Sequence, residues 1–133
     1  CITFMGEIMP KTEKKTFALK DSGARREFES GAVRDIQEGK GRFDLIPPTA
    51  LKRLAQVFEK GAIKYGDGNY LKGIPLSAFV DSAERHLNQV KQGAVDEDHA
   101  AQCAWNMFAL MWTEEQIEQG KLPTELDNRK FKI

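Results

Sequence analysis

"EDHAAQCAWNMFALMWTEEQIEQ", residues 97 to 119, decides the fold. It holds no Pro and no Gly, and its composition favours helix. At ~100° per residue, Ala100, Ala101, Cys103, Ala104, Trp105, Met107, Phe108, Ala109, Leu110, Met111 and Trp112 surround the axis almost completely. A helix apolar all round is buried, either centrally or in a subunit interface. One polar line interrupts it: His99, Gln102, Asn106 and Thr113 fall within ~60° of each other. An interhelical hydrogen-bond seam would explain any one of them, because an unpaired buried polar group costs ~1–3 kcal/mol. Four in register ask for matching donors along a whole surface, which a ligand site also supplies. Asp96 after Val95 reads as the N-cap, and acids suit the first turn of a helix. All three acids of Asp96-Glu97-Asp98 are more than a cap needs, so Glu97 or Asp98 is a candidate to face a site.

Upstream, "PLSAFVDSAERHLNQVKQ" reads as a second helix. Leu76, Phe79, Val80, Ala83, Leu87 and Val90 form its apolar stripe, and Gly93 ends it. Asp81, Glu84, Arg85 and Asn88 lie opposite, with His86 at the border. Asp81 and Arg85 make an i,i+4 pair that a solvated salt bridge explains. Asp81 and Glu84, one turn apart, can also hold a hard divalent cation that takes phosphate oxygens. His86 is equally readable as a satisfied core histidine or as a general base.

A first helix begins at the tandem Pro47-Pro48, where a missing N–H costs nothing. Leu51, Leu54, Phe58 and Ala62 carry its period, and Gly66 stops it. "GDGNYLKGIP" then reads as an exposed turn-rich loop. With its flank it supplies Lys64, Tyr65, Asn69, Tyr70 and Lys72: ammonium groups for phosphate and rings for a base. Residues 1–30 read as a loose polar arm, 31–120 as one helical domain and 121–133 as a frayed tail. Within "GAVRDIQEGKGRFDLIPP", mostly loop, "RFDLI" alternates weakly in the manner of a short strand. "GKGR", with Lys40 and Arg42, could approach phosphate through its glycines. It is not a P-loop: no Gly stands five residues before Gly39, and no Ser or Thr follows Lys40. The fold class is therefore all-α, about three core helices with a loop-rich N-terminal approach and at most a short strand or hairpin.

At 133 residues the chain makes one domain. Three helices bury little alone, so a homo-oligomer is expected. Basic and acidic residues balance at 20 each, so no global field points to a nucleic acid polymer or a membrane. No apolar run approaches the ~18 residues of a membrane span, and the opening ten residues make a poor signal peptide. A cytoplasmic protein is the expectation. Cys rather than Met at position 1 reads as a fragment or an altered start. Cys1 and Cys103 suggest neither a disulfide framework nor a zinc site.

"GAVRDIQEGKGRFDLIPPTAL", "GAIKYGDGNYLKGIP", "DSAERHL" and "DEDHAAQCAWN", in this order, closely resemble the phage-encoded dATP/dGTP diphosphohydrolase-like family over roughly residues 27 to 112. The resemblance implies a viral protein in a bacterial host's cytoplasm, acting on purine nucleotides. It also implies kinship of function with all-α nucleotide pyrophosphohydrolases of the MazG type. In those, carboxylate pairs on two helices hold Mg²⁺, which activates water against the α-phosphate. Asp81 and Glu84 match the first pair. The second region departs, offering Asp98, His99, Gln102 and Asn106 without a clear Glu-x-x-Asp.

Two functions follow. One is Mg²⁺-dependent cleavage of a purine (deoxy)nucleoside triphosphate to monophosphate and pyrophosphate. Asp81, Glu84, Glu97 and Asp98 would bind metal, and His86 or His99 would orient or deprotonate water. Lys40, Arg42, Lys64, Lys72 and Arg85 would hold phosphates, with Tyr65, Asn69, Gln102 and Asn106 around the rest of the substrate. The other is a non-catalytic sponge that sequesters a host antiviral signalling nucleotide, such as a cyclic nucleotide. The incomplete acidic set motivates it.

Overall fold

The computed structural model describes residues 19–133, which divide into two units at residues 42 and 43. In the N-terminal unit, β1 (Arg25–Glu27) pairs antiparallel with β2 (Val33–Asp35), in the register Arg25 to Asp35 and Glu27 to Val33. The chain reverses where the Phe28 N–H donates to the Ala32 carbonyl at 2.9 Å, with Gly31 at φ 89°. Asp35 organises the base of the hairpin, accepting from the Ser22 hydroxyl and from the Ser22 N–H. Residues 25–27 are thus strand where a loose arm was expected; residues 1–18 lie outside the described residues. "RFDLI" is not a strand: Phe43–Leu45 form a 3-10 turn that runs into Pro47. A two-residue alternation is too short a signal to separate the two states.

The second unit is helical. α1 spans Pro48–Tyr65, with Pro48 in the first turn as the fixed φ of proline favours, and it ends at Gly66, φ 92°. A 3-10 turn, Asn69–Lys72, leads to α2 (Leu76–Lys91). α3 spans His99–Glu118. Leu76 and Phe79 of α2 meet Ala109 and Leu110 of α3 to form the core. Burying each of the two large side chains stabilises the unit by about 1.5–3 kcal/mol.

Three features of α3 depart from the expectation. Its N-cap is Asp98, whose carboxylate accepts from the Ala101 N–H at 3.1 Å, and not Asp96. Half of its polar line is satisfied within the helix, Thr113 Oγ1 donating to the Ala109 carbonyl and Asn106 Nδ2 to the Gln102 carbonyl, both at 2.8 Å, while His99 and Gln102 find partners outside it. Its apolar surface is covered on only part of its circumference. Ala100, Ala104, Phe108 and Met111, one stripe at helical spacing, stay exposed, as do Leu87 and Val90 on α2.

The tail is docked rather than frayed. Residues Thr124–Leu126 form a 3-10 turn. Asn128 Oδ1 accepts from the Ser77 N–H at 3.0 Å, and Arg129 donates to Glu114 at 3.0 Å. Gly73, at φ 106°, lets this segment approach: a Cβ there would stand 3.1 Å from Leu126 Cδ1. Among the described residues no helix is long and apolar enough to cross a membrane.

Candidate functional site

A pocket of about 630 Å³ opens between the end of α1, the Asn69–Lys72 turn, α2 and the start of α3. One wall is aromatic. Tyr70 sits edge-on to Phe58, Trp105 and Trp112, with ring centroids 6.1, 5.7 and 5.7 Å away. Such edge-to-face pairs hold rings in fixed orientation. Burial raises the Tyr70 phenol above its ordinary pKa, so the hydroxyl stays neutral.

α1 brings Lys60 and Lys64 to the rim, one turn apart, with Tyr65 beside them. Lys64 Nζ lies 5.2 Å from the Tyr65 ring centroid, a cation–π distance that holds the ammonium without neutralising it.

The polar floor centres on two histidines. His86 of α2 and His99 of α3 meet Nδ1 to Nδ1 at 2.9 Å, and His99 Nε2 stands 2.8 Å from Asp96 Oδ1. His99 is buried; His86 is half-buried and lines the pocket. Burial, and then the neighbouring His99, lower the His86 pKa from its ordinary 6.5. The His99 hydrogen bond lowers that of Asp96. Gln102 Nε2 donates to Glu97 Oε1 at 2.7 Å, holding that carboxylate at the pocket edge.

Asp98 is held differently. Arg53 of α1 grips it with two donors, Nη2 at 2.6 Å and Nε at 2.8 Å. That grip brings the Asp98 pKa down to about 2. The carboxylate that caps α3 therefore also ties α1 to it.

The structure brings His86, Lys64, Tyr65, Asn69, Gln102, Asn106, Glu97 and Asp98 to one pocket, with His99 directly behind His86. It does not bring the two carboxylate pairs together. Asp81 and Glu84 line a separate pocket of about 830 Å³, with Ser77, Val80 and residues 129–133. The period of α2 explains this. Ser82 and His86 lie on the face toward the first pocket, and residues 77, 81 and 84 lie on another.

Arg85 is ion-paired with Asp81. Lys72 is exposed at the end of its 3-10 turn. Lys40 and Arg42 belong to the N-terminal unit, where Lys40 Nζ lies 3.4 Å from Asp35. The sequence did not single out Lys60, Phe58 or Trp105 for the site, nor Asp96 as the partner of His99. Only the i,i+3 spacing of Asp96 and His99 hinted at the last.

Asp96, Glu97 and His99 each offer a ligand atom within 4.8 Å of the others and could together hold a metal ion. The chemistry of the set limits which one. Both His99 nitrogens are already engaged, and the oxygens of Asp96 and Glu97 suit a hard cation. Cys103 carries a free thiol and takes no part in the cluster.

No curated protein and no solved structure matches the chain. A family model described as dATP/dGTP diphosphohydrolase, N-terminal, matches residues 30–122, spanning α1, α2, α3 and the whole pocket. The chain belongs to that family, whose name is that of a nucleotide hydrolase.

Proposed function

We propose that the protein hydrolyses a purine (deoxy)nucleoside triphosphate to the monophosphate and pyrophosphate in the pocket beneath Tyr70. The observation that carries this reading is the meeting of three chemistries in one pocket: rings, ammonium groups, and a histidine linked through a second histidine to a carboxylate. Tyr70 and Trp105 offer a surface for a purine. Lys60 and Lys64 neutralise the phosphates. His86 takes the proton of the attacking water.

Magnesium suits a site of this kind, since it keeps most of its ligands as water and substrate phosphate and needs few carboxylates from the protein. Glu97 would hold it. Its chemistry there is to polarise the phosphoryl group. The family resemblance further supports a phage protein working in the cytoplasm of a bacterial host. The exposed stripe Ala100, Ala104, Phe108 and Met111 supports a homo-oligomer packed through α3.

The test is pyrophosphate release from dGTP and dATP with Mg²⁺, against an EDTA control. Release that EDTA abolishes is expected; none with either nucleotide at any pH from 6 to 9 refutes the reading.

One observation favours a second reading. Asp81 and Glu84 lie in another pocket and Asp98 is gripped by Arg53, which leaves a sparse acidic set around His86. A sponge for a cyclic or other signalling nucleotide needs the rings and lysines but not the metal. Recovery of such a ligand intact from the denatured complex would favour it.

A further inference from the structure

The histidine pair is more specific than a base with a neighbour, because its hydrogen bonds fix where the protons sit. A carboxylate only accepts, so the 2.8 Å contact to Asp96 Oδ1 requires a proton on His99 Nε2. A neutral imidazole carries one N–H, so His99 Nδ1 is then an acceptor. The 2.9 Å contact between the two Nδ1 atoms must therefore be made by a proton on His86 Nδ1. His86, neutral in turn, is left with a lone pair on Nε2. That nitrogen has no hydrogen-bond partner among the described residues, and His86 lines the pocket.

From this geometry we infer that Asp96, His99 and His86 form one polarised chain that sets His86 Nε2 as the proton acceptor of the pocket. Asp96 and His99 are its positioning residues. His99 itself is excluded as the base, since both its nitrogens are engaged.

The alternative arrangement puts a second proton on His99, reverses the central hydrogen bond, and leaves a donor on His86 Nε2. No described residue stands to accept from that donor. Glu97, Asp98, Arg85, Lys60 and Lys64 are the other charged groups near the pair. None of them donates to or accepts from either ring.

The catalytic part of this inference rests on the hydrolytic reading; the proton positions do not. The chain contains two histidines, so ring ¹⁵N shifts are assigned with one variant, His86→Gln. At pH 8, long-range ¹H–¹⁵N spectra of the full chain are expected to show His86 protonated at Nδ1 and His99 at Nε2. Asp96→Ala is expected to mix the two tautomers of His86 and to lower kcat at least ~10-fold with little change in KM. Asp96→Glu is expected to restore part of the rate.

A proton on His86 Nε2 at pH 8 overturns the inference. So do unchanged His86 tautomers in Asp96→Ala, whatever happens to the rate. If the tautomers are as stated and no nucleotide is turned over, the chain stands and the hydrolytic reading falls.

Discussion

His86 and His99, on different helices, share one hydrogen bond between like atoms, Nδ1 to Nδ1 at 2.9 Å, and only one of them reaches the pocket. A single substitution therefore separates chemistry from packing. His86→Gln keeps a polar group of similar reach in a half-buried position. Its turnover is expected to fall ~10²–10⁴-fold, the usual weight of a general base. Thermal unfolding should move little. A rate within threefold of wild type would remove His86 from the chemistry.

The His86 pKa is lowered chiefly by burial, then by His99. The active form is the neutral ring, so log kcat/KM is expected to be flat at neutral pH and to fall as pH drops through a midpoint below 6.5. Stability follows the same direction. Below about 6.5 the unfolded chain takes up a proton that the folded ring resists, so this contribution is full above that pH and is lost as pH falls through the folded value. An acid limb with a midpoint above 6.5 would contradict the assignment.

Asp98 does two jobs that mutation can separate. Asp98→Ala removes both the α3 cap and the Arg53 contact and is expected to cost about 1–2 kcal/mol in urea unfolding. Arg53→Ala removes only the contact, whose cation is largely exposed, and should cost clearly less than Asp98→Ala. Since the Asp98 pKa is brought down to about 2, its contribution should be present above pH 3.8 and be lost as pH falls through about 2. Equal costs for the two variants would mean that the cap contributes nothing.

Phe108 and Met111 stand exposed, at 46% and 50%, on the stripe begun by Ala100 and Ala104. Phe108→Glu is expected to reduce the proposed homo-oligomer to monomers in light scattering coupled to size exclusion, with helical content kept by circular dichroism. A wild-type chain that is already monomeric at high concentration would refute packing through α3.

These residues also show what sequence could and could not reveal. Pro48 and Gly66 bound α1 because proline and glycine act locally, on their own backbone. The start of α3 was missed by two residues because three adjacent acids are each acceptable caps. Arg53, 45 residues upstream, is engaged by Asp98, and no local pattern encodes that. The fold class left room for one hairpin, but its position was not legible because its strands are three residues long and almost wholly exposed. The helical periods correctly put His86 at a border and His99 on a polar line. They could not show that Asp81 and Glu84 turn to a different pocket, since that depends on how α2 is rotated against α3.

The central claim is that a nucleotide entering beside Tyr70 and Lys64 leaves cleaved. Equilibrate the protein with dGTP and Mg²⁺, denature it, and chromatograph the released nucleotide. The account expects dGMP and pyrophosphate in equal amounts, with dGTP recovered intact from the His86→Gln variant. Intact dGTP recovered from the wild-type protein at one equivalent per site would contradict it.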